Sequence, residues 1–307
     1  MKQIQFIIPL LNEAKNIPLI YDAIRREITK NNIDIRITYI DDGSIDESWD
    51  QICQLSASDI RVKGIRFSRN FGKEYAIEAG LRQSKADAAI VLDADLQHPI
   101  ALIPEMIEAW LNEGFKVVSG IKSQRQKESV FRSVVSSSYY YIFNRMSGLQ
   151  LQQMTDFKLL DKEVIESYLA LPEGSRFFRG LIAWLGYKEK LIEFSPLDRL
   201  HGETAWSFRQ LVNYAKGTLI SFSYVPLKLI SFMSFAMFLF ALLLGLQSIY
   251  NKLLGNAEEG FTTVLITQLI IGCAIMYGLS NIGTYIAKIY DELKSRPHYI
   301  ISEETRE

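Results

Sequence analysis

The 307 residues, 48% hydrophobic and 22% charged, suffice for one large domain with an appendage. A formal net charge of −1 leaves no basic field for a nucleic-acid partner. The two cysteines, Cys53 and Cys273, lie far apart without a C-x-x-C or a histidine cluster, which excludes a disulfide framework and a zinc site and fits a reducing cytoplasm.

The first apolar run, residues 4–11, holds Pro9 near its end and is followed by Asn12-Glu13. Proline suits a strand end, so this reads as strand one, leading to a helix over 17–30. It does not read as a signal peptide: it has a single Lys, a short apolar run and no small-residue cleavage site. A second run, 35–40, ends in Asp41-Asp42-Gly43-Ser44, with a helix starting near Asp46. A third strand, 62–67, leads into Ser68-Arg69-Asn70-Phe71-Gly72-Lys73 and a helix over 74–84. The run 87–93 ends in Asp93-Ala94-Asp95-Leu96-Gln97; a helix over 100–112 and a strand over 115–120 follow.

Alternating strands and helices predict an α/β fold with a mostly parallel sheet and helices on both faces. Ligands bind such sheets at the carboxyl ends of the strands, where Glu13, Asp41, Asp42, Asp93 and Asp95 all fall. Residues i and i+2 of an extended chain point the same way, so Asp93 and Asp95 can converge. Two convergent carboxylates repel unless a cation lies between them, and Mg²⁺ or Mn²⁺ shared with a diphosphate meets that need. The plain alternative is a surface loop with two solvated acids. There is no G-x-G-x-x-G after strand one and no G-x-x-x-x-G-K-[ST], which disfavours a dinucleotide dehydrogenase and a P-loop enzyme.

Beyond residue 204 the chain changes character. No charge occurs between Lys228 and Lys252, nor from Phe261 to Ala287. About 20 apolar residues span a bilayer as a helix, so each stretch is long enough. Lys216 and Lys228 precede the pair, and Lys288, Lys294 and Arg296 follow it; the positive-inside rule then puts both ends in the cytoplasm. The aromatic run 205–224 suits a membrane surface, as does 131–146, although both also suit core helices. The expected organisation is a catalytic domain 1–204, an interfacial segment 205–228, crossings 229–251 and 263–287 around an outer loop 252–262, and a cytoplasmic tail 288–307.

Pro9-Leu10-Leu11-Asn12-Glu13, Asp41-Asp42-Gly43-Ser44, Asp93-Ala94-Asp95-Leu96-Gln97-His98-Pro99, Thr155-Asp156-Phe157-Lys158-Leu159-Leu160-Asp161 and Arg199-Leu200-His201-Gly202-Glu203-Thr204 stand in that order. Together they resemble the inverting family 2 glycosyltransferases with the GT-A fold. The nearest likeness is to the polyprenyl-phosphate group, dolichol-phosphate mannose synthase-like enzymes and bactoprenol glucosyltransferases, over nearly the whole chain. The resemblance implies metal-dependent transfer of a hexose, glucose or N-acetylglucosamine, from a UDP-sugar to undecaprenyl or another polyprenyl phosphate. The setting it implies is the cytoplasmic face of a bacterial inner membrane, for cell-envelope glycan, in a multi-pass homo-oligomer.

By the same resemblance Mg²⁺ or Mn²⁺ is held by Asp95, with Asp93 and Gln97. Pro9, Asn12, Glu13, Asp41, Asp42 and Asp93 line the nucleotide site. Lys122, Arg125, Arg132 and Arg199 meet the acceptor phosphate, and Asp156, with Asp95 and Arg199, serves catalysis. Asp156 has a second reading, as the N-cap of a helix from about Lys162.

Two departures stand out. The fifth block ends Thr204-Ala205-Trp206 where relatives carry a Lys, with Arg209 as its possible substitute, and His98 stands where many relatives have Asp. His98 reads either as an outer partner of the metal or as incidental. A processive polysaccharide synthase is the competing enzyme, but its Gln-x-x-Arg-Trp block is missing: Gln152, Gln153, Arg179 and Trp184 do not form it. An inactive membrane scaffold or flippase subunit is the competing non-enzyme, and the full carboxylate set opposes it.

Overall fold

The computed structural model describes residues 2–28, 33–123, 154–174, 176–195, 260–294 and 296–305, with scattered positions between 232 and 254. The chain divides into one unit of Met1–Phe208 with Arg296–Glu307, and a second of Arg209–Ser295.

In the first unit the elements run β1 (Gln3–Leu10), α1 (Ile17–Ile28), β2 (Asp34–Asp41), α2 (Ser48–Ser58), β3 (Val62–Phe67), α3 (Lys73–Gln83), β4 (Ala88–Val91) and α4 (Ile103–Leu111), then β5 (Val117–Lys122), β6 (Met154–Asp161), α5 (Lys162–Ala170), α6 (Phe178–Leu185), β7 (Glu189–Phe194) and, at the far end of the chain, β8 (Ile301–Glu304). α1 is amphipathic: Ile17, Ile20, Tyr21 and Ile24 recur at helical spacing and are buried. β1 and β4 are almost continuously apolar and buried, as interior strands covered on both faces must be.

The strand order is β7-β5-β6-β4-β1-β2-β3-β8. β1 pairs in parallel with both β2 and β4, so the chain steps outward from β1 to β3 and then returns to β1's other side. That reversal is a switch point, where a crevice opens at the carboxyl ends of β1 and β4. The sheet is mixed rather than all parallel, because β6 runs antiparallel to β4 and β5, and β8 antiparallel to β3. β6 explains why Asp156 reaches the crevice. Val91 faces Lys158 across the β4–β6 ladder, so two residues further along β4's direction the register sets Asp156 against Asp93.

Asp156 is therefore a strand residue. The N-cap reading belongs to Asp161, whose carboxylate accepts the N–H of Glu163. The C-terminal residues, expected to trail as a tail, include β8 and complete the sheet beside β3.

The second unit contains α7 (Phe261–Leu293), whose window Ile270–Ala287 has a mean hydropathy of 1.4 and is long and apolar enough to cross a membrane. The helix outruns the expected 263–287 at both ends. The first expected crossing, 229–251, is helical at the positions described within it, which belong in part to a shorter apolar helix Phe235–Leu244, and only one candidate span stands among the described residues.

α3 lies close against β1 and β2 because it carries Gly80. A methyl there would stand 2.4 Å from Ile7 Cγ2 and 2.8 Å from Ile40 Cδ1. Gly80→Ala is expected to lower stability by about 1–3 kcal/mol through overpacking, despite alanine's better helix propensity. Thermal unfolding of the purified chain checks it.

Candidate active site

The strand ends are knitted together by their own polar side chains. Asn12 holds a left-handed backbone with φ of 57°. Its N–H donates to Ser44 Oγ at 2.8 Å and its Oδ1 accepts from Ile45 N at 2.9 Å. Asp41 is fully buried: Oδ1 accepts from Ser44 N at 2.8 Å and Oδ2 lies 3.5 Å from Arg66 Nε. Asp42 Oδ1 accepts from Phe71 N at 2.7 Å and its Oδ2 from Gly72 N at 2.9 Å. Burial pushes the Asp42 carboxyl up to about 6, against the pull of those two amides. Gly43, with φ of 78°, lets this turn touch the next loop; a Cβ there would sit 2.5 Å from the Arg69 carbonyl carbon.

Of the residues expected to line a nucleotide site, Asp42 thus has both carboxylate oxygens on backbone amides, while Asp41 has only Oδ1 so bound and its buried Oδ2 makes no hydrogen bond among the described residues. Pro9 is buried within β1, while Asn12 is exposed and Glu13 half-buried. Glu13 Oε2 accepts from Asn16 Nδ2 at 2.6 Å.

The loop from 68 to 72, pinned by Asp42, delivers Lys73 as the first residue of α3. Lys73 Nζ stands 2.6 Å from Asp93 Oδ1 and 2.6 Å from Asp156 Oδ2. From the other side Arg179 Nε donates to Asp156 Oδ1 at 2.7 Å. Asp156 is only 5% exposed, and burial alone would raise its pKa; Arg179 and Lys73 outweigh burial and hold the carboxyl far below the usual range. Asp93 is likewise lowered against its burial, chiefly by Lys73. Burial works against the charge on Lys73, but Asp156 and Asp93 keep it above the usual lysine range.

Asp95 is half-buried, and its Oδ1 accepts from Gln97 N at 3.1 Å. Leu96, between them, takes φ of 58°, a strained conformation for a branched apolar residue. His98 is buried and stacked on Phe157 at 5.0 Å, and its Nδ1 accepts the N–H of Asp93 at 3.2 Å. That nitrogen shapes the Asp93 turn.

No group of three or more His, Cys, Asp or Glu gathers around one point among the described residues. A protein cage for a metal is therefore absent there, and Asp93 already faces an ammonium. A Mg²⁺ or Mn²⁺ site of one carboxylate, Asp95, completed by Gln97 and substrate phosphate oxygens is still ordinary for these hard ions, so the residues fit.

Lys122 is exposed at the end of β5. Arg125, Arg132, Arg199 and Arg209 lie outside the described residues. Sequence reasoning missed Lys73 and attached no site role to Arg179. The first closes the loop that follows β3; the second rides on a short helix whose approach depends on tertiary packing.

Residues 5–168 match the family model described as glycosyl transferase family 2. The chain is 38% identical over 308 aligned residues to the putative glycosyltransferase CsbB of Bacillus subtilis (strain 168), covering 99% of this chain and 93% of the relative. The chain belongs to glycosyl transferase family 2. It is a glycosyltransferase. It is also 33% identical to the prophage bactoprenol glucosyl transferase homolog of Escherichia coli (strain K12), over 97% of this chain and 98% of that one. Among solved structures, glucosyl-3-phosphoglycerate synthase from Mycobacterium tuberculosis, in complex with Mn²⁺, UDP-glucose and phosphoglyceric acid, matches with a TM-score of 0.49 and 17% identity, covering 72% of this chain and 79% of that chain.

Replacing Lys73 or Arg179 with Met leaves the buried Asp156 short of one partner. Breaking a fully buried pair costs about 3–5 kcal/mol; the partial exposure of both cations reduces the expected loss at neutral pH to about 1–3 kcal/mol. A depressed carboxyl pKa contributes stability above the ordinary value of 3.8 and loses it as pH falls through the folded value. Urea unfolding should therefore show a gap between wild type and variant at pH 7 that narrows below pH 3.8.

Proposed function

We propose that this glycosyltransferase moves a hexose from a UDP-sugar to a polyprenyl phosphate at a membrane, with inversion at the anomeric carbon. The observation that carries this reading is Asp156 clamped between Lys73 and Arg179, beside Asp93. A glycosyltransferase acting on a sugar hydroxyl needs a base poised near neutral pH to take the proton. A carboxylate stabilised this strongly by two cations is a poor base. A phosphate monoester has its second pKa near about 6 and arrives largely deprotonated, so the acceptor brings no proton that must be removed. What it needs is placement beside the anomeric carbon without repulsion from the donor.

Asp156 then serves as an orienting anion that fixes two cations at the reaction centre. Arg199, with Lys122, Arg125 and Arg132, is our assignment for the acceptor phosphate, which a planar guanidinium can grip through two parallel hydrogen bonds. Asp95, with Gln97, is our assignment for Mg²⁺ or Mn²⁺, which when bound neutralises the charge that develops on the departing diphosphate. The uridine lies, in this reading, over the ends of β1 and β2. Relatives at 33% identity over nearly their whole length are named bactoprenol glucosyl transferases, including that of Shigella phage SfV, which supports a lipid-phosphate acceptor and glucose as the first sugar to try.

The membrane setting has support from α7, and the return of the chain bears on the number of crossings. Residues before 209 and after 295 belong to one sheet-bearing unit. A chain that leaves one folded body and comes back to it crosses a bilayer an even number of times. If α7 crosses, an odd number of crossings lies in 209–260, and the uncharged stretch 229–251 supplies one.

Asp95→Ala is expected to reduce transfer to background while the protein still folds and inserts. The assay supplies full-length protein in detergent with radiolabelled UDP-glucose or UDP-N-acetylglucosamine and undecaprenyl phosphate, and reads the lipid product by mass spectrometry. Wild-type turnover that persists in excess EDTA, or full activity in Asp95→Ala, overturns the metal assignment. Transfer to a free sugar hydroxyl but not to the lipid phosphate overturns the acceptor.

A further inference from the structure

The sheet ends on a strand that the chain makes last. β8 pairs with β3, setting Ile65 against Glu304 and Arg66 against Glu303, and Tyr299 stacks on Phe67 with ring centroids 4.8 Å apart. Just before this strand His298 turns inward. Its Nδ1 lies 2.9 Å from Glu78 Oε2, and its ring stands 5.4 Å from that of Tyr75. Glu78 is a buried carboxylate in the middle of α3, only 1% exposed. Two arginines also reach it: Arg82 Nη2 at 2.7 Å and Arg176 Nε at 3.4 Å.

Arg176 extends the network. Its Nη1 donates to the Tyr168 carbonyl at 3.1 Å and Nη2 to the Leu171 carbonyl at 2.9 Å, at the end of α5. The same face of α3 binds the neighbouring segment twice more. Tyr75 Oη donates to the Gly174 carbonyl at 3.1 Å, and Glu74 Oε2 accepts from Phe178 N at 2.9 Å. So Glu74, Tyr75 and Glu78 fix the stretch that leads into α6 and Arg179. At the head of α3 is Lys73. Both cations that hold Asp156 depend on how α3 and α6 are set, and His298 bears on the residue between them.

We infer that His298 is a positioning residue of the transfer centre: through Glu78 it ties the C-terminal segment to α3 and to the 174–179 stretch, and so sets Lys73 and Arg179 around Asp156. The inference rests on the transfer reaction proposed above. Edge-strand pairing by β8 is the simpler role for the segment, and it needs no inward histidine. A polar link to a buried carboxylate on α3, the helix that follows the paired strand, is what pairing alone leaves unexplained.

Three full-length variants test it. His298→Phe keeps a ring against Tyr75 and removes the polar link. His298→Asn restores an amide donor near the position of Nδ1. Glu304→Gln weakens the Lys63 ion pair between the paired strands and leaves His298 in place. In His298→Phe, kcat should fall roughly 10-fold, with KM for the UDP-sugar within about twofold of wild type, since a misplaced reacting group costs rate rather than donor affinity. His298→Asn should recover most of that loss, and Glu304→Gln should leave kcat unchanged. Amide exchange at Phe178 and along α3 should quicken in His298→Phe and return towards wild type in His298→Asn.

A kcat for His298→Phe equal to wild type, or an equal loss in Glu304→Gln, overturns the assignment. The exchange measurement keeps the two readings apart. If wild type fails to transfer sugar to lipid phosphate, the function proposed above falls, and exchange alone decides here: unchanged protection at Phe178 in His298→Phe overturns the link, and lost protection upholds it.

Discussion

A carboxylate out of water must be neutralised or protonated, and Asp156 is kept charged by two cations drawn from different parts of the chain. The rest of the catalytic unit can be understood as the means of bringing them there. Lys73 arrives because the Asp42 carboxylate fixes the amides of Phe71 and Gly72, which start α3 at the right place. Arg179 arrives because Glu74 accepts the N–H of Phe178 and so docks α6 on α3. Asp156 itself arrives through the antiparallel register of β6 on β4. None of these groups is worth much alone; a cation without Asp156 is a solvated charge, and Asp156 without a cation is an unpaired buried one.

This division of labour alters the meaning of the acidic motifs. Asp41 and Asp42 end a strand, as ligand-binding acids of an α/β sheet do, yet Asp42 spends both oxygens on backbone amides and Asp41 spends one, its other oxygen lying 3.5 Å from Arg66 Nε. They build the rim rather than decorate it. Burial raises the Asp42 carboxyl to about 6, so the rim is held by a group close to its titration range. Asp95 is different. It lies half-buried in a turn strained at Leu96, and its Oδ1 accepts the N–H of Gln97.

Much of the fold was legible because buried parallel strands leave continuous apolar runs and because carboxylates marked where they stop. β1 to β4 and the helices between them follow from that pattern. The antiparallel β6 was harder: a resemblance marked Asp156, while its local sequence also suited a helix cap, and only the register with β4 decides between them. Asp161, five residues on, is the actual cap. Lys73 and Arg179 were illegible as a pair for a plain reason. Charged residues on short helices are common, and nothing in one dimension says that two of them meet a third. β8 was hidden by its neighbours: four residues with two acids after a long apolar helix read as a tail, and only the unpaired edge of β3 gives them a place.

That last strand also sets an order of assembly. During synthesis β3 emerges early, with its outer backbone groups unpaired, and the residues that cover it follow only after the whole apolar segment has been made. Until then the nascent domain carries an open sheet edge, the feature that invites pairing with a foreign strand. Glu78 waits as well, buried with arginines but without His298. Completion of the sheet is thereby tied to synthesis of the segment that precedes β8, so the edge of β3 stays open until the apolar stretch has been made.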